Sequence, residues 1–374
     1  MQLPLGSQDD MGTPVNRRLR INEVFREISI KRGFNEISTP VIEYANTFTN
    51  PFVGMNLKTM LKWFDSEGEI QVLRPDWTIA IARALSNEHS DRKKWAYQGS
   101  VFRTNVPGTE FRQVGVEIVD TDPILGEYEC LALAIHFLQA LKTDTYYIEL
   151  GHTGVFEALT ATMNLTVEVI EQLRQAMHDK NKDEVYRISR QYSTEAHARE
   201  ITQLVEAFGT TDILDEYERR WHDKPELMKS IQHLKQVVNI LKTNQSPEVL
   251  IDLGRVKNQP YYSGIMFRGF TKQKGTTLFS GGRYDHLYNQ FSQTRTAVGL
   301  AFDVDALSQH IGQSSKQERI CVVASMQTLK LAEKLRKTYD ASIVDIQFEE
   351  PDNNNYDKVI QIIESNGKYE VVER

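Results

Sequence analysis

Cysteine is scarce: Cys130 and Cys321 are the only two in 374 residues, far apart, each in an apolar run. That excludes a disulfide framework and a cysteine-rich metal site, and reads as two buried free thiols in a reducing compartment. Basic excess is also lacking. The net charge is -7, which argues against bulk nucleic-acid binding, though not against a local basic patch. No apolar run approaches the ~20 residues needed to cross a bilayer, so no membrane partner is expected. The N-terminus, Met1-Gln2-Leu3-Pro4-Leu5-Gly6, has no basic segment followed by an apolar one. No signal peptide is expected there, and the cytoplasm is the expected location. Walker loop, dinucleotide fingerprint, metal-ligand cluster and serine elbow are all missing, so no metal or cofactor is expected. His152, His178, His197 and His222 are scattered, and are expected to be surface or structural residues.

What remains is a globular composition, 40% hydrophobic and 25% charged, on a chain long enough for a sizeable core. A turn-rich start gives way to a helix in which Ile21, Val24, Phe25 and Ile28 recur at helical spacing before Gly33. Residues 34–43 read as a strand, with Pro40 near an edge or bulge. Strands are expected at 69–73, 95–103, 111–119 and 145–150, with helices at 78–85 and 126–141. Residues 152–245 carry helical periodicity and no strand signal, and read as a helical insertion with solvated charged faces. Strands return at 249–253, 263–270, 276–279 and 296–302. Residues 309–318 are polar and read as a linker. Beyond them a unit of roughly 55 residues, near the lower limit for independent stability, reads as βαβαβ, with helices at 329–339 and 356–365.

The stretch from Leu73 to Asp120 organises the chain. It places Asp76, Thr78, Arg103, Gln113 and Glu117 among apolar strand residues. Apolar and polar residues alternate through 112–120, which gives that strand one polar face. Carboxylates suit an ammonium group and an arginine suits a carboxylate, so the set fits a small zwitterion. Tyr261 and Tyr262 add ring faces and hydroxyls suited to a flat polar ring, with strand packing as the competing reading.

These residues carry a resemblance. Leu73-Arg74-Pro75-Asp76-Trp77-Thr78, Phe102-Arg103 and Phe111-Arg112-Gln113-Val114-Gly115-Val116-Glu117 resemble the class II aminoacyl-tRNA synthetase core in its histidyl form. Pro260-Tyr261-Tyr262-Ser263-Gly264 resembles its second histidine-recognition motif. Gly281-Gly282-Arg283-Tyr284-Asp285, with Ala297-Val298-Gly299, resembles its motif 3 region. The likeness implies an α+β fold, an antiparallel sheet flanked by helices. It spans 1–308 and includes the insertion at about 152–245. A linker at 309–318 and a small C-terminal α/β domain at 319–374 follow.

Three departures stand out. Asn105 occupies the position of the motif 2 glutamate that helps hold adenine. Ala306 occupies that of the motif 3 arginine that grips the γ-phosphate, with Asp303 and Asp305 beside it. Lys257 replaces the histidyl arginine that assists adenylate formation, and lysine offers a point charge rather than a fork. Losing several such contacts costs orders of magnitude in rate, so histidyl-adenylate formation is not expected. The tail is shorter than an anticodon-binding domain, and Glu349-Glu350-Pro351-Asp352 adds acid to it, so no tRNA partner is expected.

A synthetase-like core with these losses resembles the regulatory subunits of ATP phosphoribosyltransferase, from the first step of histidine biosynthesis. The resemblance implies a non-catalytic, allosteric chain that a short-form catalytic subunit requires. It also implies a hetero-octamer of four plus four chains and feedback inhibition by histidine. It assigns Asp76, Thr78 and Gln113 to the histidine ammonium, Arg103 to its carboxylate, and Glu117 and Tyr262, beside Tyr261, to its imidazole. Asp76 is shorter than the usual glutamate, and with Lys257 it weakens the expected grip. A weak histidine site and inherited architecture both fit. Competing readings are a divergent histidyl-tRNA synthetase and a paralogue that senses tRNA or amino acid.

Overall fold

The computed structural model describes residues 2–3, 7–51, 53–87, 91–104, 108–242, 247–256, 261–312, 317–351, 355–365 and 368–373. Two compact units divide between Gly312 and Gln313, and each is described by itself.

The first unit is built on a sheet of nine strands among the described residues. In spatial order they are Asn35–Glu36, Lys94–Phe102, Glu110–Val119, Ala297–Asp303, Thr277–Arg283, Ile265–Thr271, Tyr146–His152, Glu248–Asp252 and Phe208–Thr210. Neighbours run antiparallel, except that Asn35–Glu36 is parallel to Lys94–Phe102 and Tyr146–His152 to Glu248–Asp252. The alternation in Glu110–Val119 sorts its side chains by face, because successive residues of a strand point to opposite sides. Val114, Val116 and Ile118 enter the main core, which the helices Thr13–Lys31 and Pro123–Ala140 share. Asp122 caps the second of these, accepting from the Leu125 N–H at 3.2 Å, with Pro123 in the first turn, where the missing N–H costs nothing. Phe137 lies at the centre, 5.4 Å from Phe25 and 4.7 Å from Phe302 between ring centroids, both edge-on.

The expected strand at 34–43 is two pieces. Asn35–Glu36 joins the large sheet, whereas Ile42–Tyr44 pairs with Ile70–Leu73 in a separate three-stranded sheet with Lys62–Phe64. The break falls at Thr39-Pro40, where proline has no ladder donor. The freed Thr39 carbonyl accepts from Arg74 Nη1 at 2.8 Å. The insertion is largely helical, but Phe208–Thr210 is a strand, antiparallel to Glu248–Asp252 at the sheet edge. Three residues are too few to show alternation. The first unit also extends into the expected linker: His310 is buried, and the Gly312 carbonyl accepts from Arg20 Nη1 at 2.9 Å.

The second unit has strand order Ile343–Gln347, Arg319–Val323, Lys358–Ser365 and Lys368–Glu373, with the helix Leu329–Thr338. The helix expected at 356–365 is a strand instead. Lys358–Ser365 carries Val359, Ile360, Ile362 and Ile363, whose branched β-carbons favour extended backbone. Ile360 and Ile362, two apart, enter the core.

All four tryptophans lie in the first unit, so their fluorescence reports on that unit in the intact chain. Phe137→Ala is expected to lower its unfolding free energy by ~3–5 kcal/mol through lost burial and a residual cavity. A loss below about 1 kcal/mol in urea titrations would contradict the central placement of that ring.

Candidate ligand-binding cleft

The polar face of the large sheet floors a cleft of about 220 Å³. Glycines keep it open. Gly299 stands opposite Glu117 across the strand pair, and a Cβ there would overlap the Glu117 carboxyl. A Cβ at Gly115 would overlap the Tyr97 hydroxyl. The helix Trp77–Ser86 brings its N-terminus to the rim. Asp76 caps it, accepting from the Ile79 N–H at 3.1 Å, so the cap residue is also a cleft carboxylate. Trp77 is fixed by Tyr97, stacked at 4.9 Å, and by the Arg74 guanidinium 3.4 Å from the ring centroid. Arg74 also donates to the Ser100 carbonyl at 2.9 Å, and burial pulls its pKa down to about 10.

Asp76, Thr78, Arg103, Gln113, Tyr261 and Tyr262 all line this cleft. Arg103 Nη2 lies 3.7 Å from Asp76 Oδ2, and Arg103 Nε donates to the Pro75 carbonyl at 2.9 Å. Burial pushes the Asp76 carboxyl above its ordinary range, with the Arg103 charge opposing. Glu117 is placed differently from the rest. It is 1% exposed and lies at the floor, not along the lining. Thr78 Oγ1 donates to its Oε1 at 2.6 Å and Tyr284 OH to its Oε2 at 2.5 Å. Burial pushes its pKa up to about 8; these two bonds oppose the shift and the Asp76 charge adds to it. The shift favours the protonated form, which can donate as well as accept. Tyr261 stands 5.4 Å from Tyr262 and 6.3 Å from Tyr284 between centroids, and burial raises all three phenols.

Sequence reasoning missed Tyr284 and Arg255 as parts of this site. Tyr284 follows a Gly-Gly-Arg run that signals close backbone approach. Arg255 follows Gly254 after an apolar strand, with no periodicity to reveal it. Outside the cleft lining, His233 Nε2 bonds buried Glu127 at 2.7 Å, and its Nδ1 lies 3.2 Å from His152 Nε2. His152 itself caps the helix Thr153–Thr160, a structural role.

Asn105 and Lys257 lie outside the described residues. Ala306 sits in the short helix Val304–Ser308, with Asp303 as its cap, accepting from the Ala306 N–H at 2.8 Å. Asp303 pairs in register with the cleft residue Gln113. Asp305 accepts from the Arg112 backbone N–H at 3.1 Å and from its Nη1 at 3.3 Å, and lies 3.6 Å from Arg18 Nη1. Arg112 is thus already matched with a carboxylate. Among the described residues no cluster of three or more His, Cys, Asp or Glu is disposed to hold a metal ion, and no helix is long and apolar enough to cross a membrane.

A family model described as histidyl-tRNA synthetase matches residues 8–307. An ATP phosphoribosyltransferase regulatory subunit of Clostridium botulinum (strain Langeland) is 32% identical over 358 residues, covering 90% of this chain and 82% of that protein. One of Bacillus cereus (strain ATCC 10987) is 29% identical over 345 residues, covering 89% and 82%. A crystal structure from Bacillus halodurans, described as an ATP phosphoribosyltransferase regulatory subunit/histidyl-tRNA synthetase, superposes with TM-score 0.83 at 25% identity. It covers 97% of this chain and 98% of that one. Histidyl-tRNA synthetase from Nostoc sp. PCC 7120 shares the fold, with TM-score 0.79 at 17% identity over 96% and 91% of the two chains.

The Glu117 carboxyl gives the fold a pH signature. Its pKa is higher folded, about 8, than the ordinary 4.5. The folded state therefore binds the extra proton, and this stability is full below the ordinary value and lost as pH rises through about 8. Glu117→Gln keeps the shape and removes the titration. Its melting temperature relative to the parent chain is expected to rise as pH goes from about 5 to about 8. A difference that stays flat, or moves the other way, would show Glu117 ionised throughout.

Proposed function

The chain belongs to the ATP phosphoribosyltransferase regulatory subunit family, built on a histidyl-tRNA synthetase core, and from that premise we propose that it regulates histidine biosynthesis without catalysis of its own. In this reading a short-form ATP phosphoribosyltransferase chain requires it for turnover, and the two assemble as four plus four. Histidine binding conveys feedback inhibition. Asp76, Thr78 and Gln113 take the ammonium, Arg103 the carboxylate, and Glu117 with Tyr261 and Tyr262 the imidazole. A carboxyl that is both donor and acceptor suits a ring with one N–H and one bare nitrogen.

One observation carries the non-catalytic half of the proposal. At Ala306 the first turn of the helix is flanked by Asp303 and Asp305, and the nearby Arg112 is paired with Asp305. Ala306 offers no cation there, and Arg112 is already matched with Asp305, so the turn lacks a free positive charge for the triphosphate that class II chemistry has to neutralise. Inhibition by histidine is then a coupling free energy between two sites. Histidine must weaken substrate binding by the same factor by which substrate weakens histidine binding.

Mixing this chain with a short-form catalytic subunit is expected to raise phosphoribosyl transfer at least tenfold, on the order of 1.4 kcal/mol or more. Added histidine should lower that rate. Unchanged turnover on mixing would refute the proposal. Histidine-dependent ATP–pyrophosphate exchange by the chain alone would point to a divergent synthetase instead.

A further inference from the structure

The Glu149 carboxylate is 1% exposed, yet two guanidinium groups meet it. Arg255 Nη1 bonds its Oε1, and Arg268 Nη2 bonds its Oε2 at 2.7 Å. One carboxylate cannot neutralise two arginines, so the triad keeps one positive charge. Arg268, with 41% of its side chain exposed, shares its charge with water. Arg255, at 17%, is turned to the cleft and lines it. Glycine at 151 makes that course feasible: a Cβ there would stand 2.9 Å from the Arg255 Cβ and 3.0 Å from its Cδ. The arginine stem passes over Gly151, where a larger residue would block it.

The charge balance of the cleft gives this a consequence. Among the described lining residues the cations are Arg103 and Arg255, and Asp76 is the one carboxylate. Arg103 faces Asp76 and spends its Nε on the Pro75 carbonyl. Arg255 faces no lining carboxylate, and its partner Glu149 is already shared. A desolvated cation in that position favours an anionic group on the ligand. We infer that Arg255 meets the carboxylate of the amino acid held in this cleft, with Glu149 orienting the guanidinium from behind. This rests on the proposal that the cleft holds histidine. It adds a second carboxylate contact to Arg103, at a position no sequence pattern marked.

The test compares L-histidine with L-histidinamide, which keeps the ammonium and imidazole and lacks the carboxylate, by calorimetric titration of the full chain. The parent chain should prefer histidine. Arg255→Met should reduce that preference about tenfold, the worth of one charged hydrogen-bonded contact. Arg255→Lys, which keeps the charge and loses the fork, should fall between. Melting curves establish that each variant is folded, and the lysine variant carries the test if the methionine variant is not. An unchanged preference in the folded variants, even with both affinities lowered, would overturn the assignment and leave the histidine cleft standing. Binding of neither ligand by the parent chain would overturn the histidine reading and this assignment with it.

Discussion

A carboxyl buried beneath the sheet's polar face sets the terms for the rest of the cleft. Glu117 has lost its water, and Thr78 and Tyr284 replace it. The three residues come from different elements: Thr78 from the helix behind the Asp76 cap, Glu117 from the strand Glu110–Val119, and Tyr284 from the turn after Thr277–Arg283. The contact therefore ties the rim helix to the floor. Gly299 is a consequence, since any side chain there would displace the carboxyl. Unmade hydrogen bonds at a buried polar group are costly, so the three elements are held in one geometry before any ligand arrives.

Much of this was legible in the sequence, for physical reasons that also explain the failures. The period-two alternation through 112–120 gave the polar face directly, because only one side of that strand can enter the core. Asp76 and Thr78 were expected among strand residues, whereas Asp76 caps the helix Trp77–Ser86 and Thr78 lies in its first turn, because the acidic side chain satisfies a free N–H at the helix start. Arg255 was invisible because its position depends on Gly151 in another strand and on a buried glutamate, both distant in sequence. The strand at Lys358–Ser365 was misread because a short run rich in isoleucine fits either period, and only its partners at Arg319–Val323 and Lys368–Glu373 decide. Phe208–Thr210 gave no signal at all, being held by register with Glu248–Asp252.

The cleft and the segment around Ala306 differ in character. The first is lined by a carboxylate, a hydroxyl, an amide and arginines. The other places aspartates around a helix turn, with Arg112 bound to one of them. A fold shared with an ATP-using enzyme need not retain its chemistry, since function resides in the site and not in the architecture. Under the proposed function, losing the phosphate end while keeping the cradle turns an activating pocket into a receptor. Its occupancy can then bias a partner's equilibrium only through differential affinity for two states.

The most direct test of this account is equilibrium binding of magnesium–ATP to the chain saturated with histidine. The account predicts no saturable binding up to about 1 mM, a free energy weaker than about -4 kcal/mol. Micromolar, magnesium-dependent binding that histidine strengthens would contradict it, and would mean that the cleft still steadies a triphosphate.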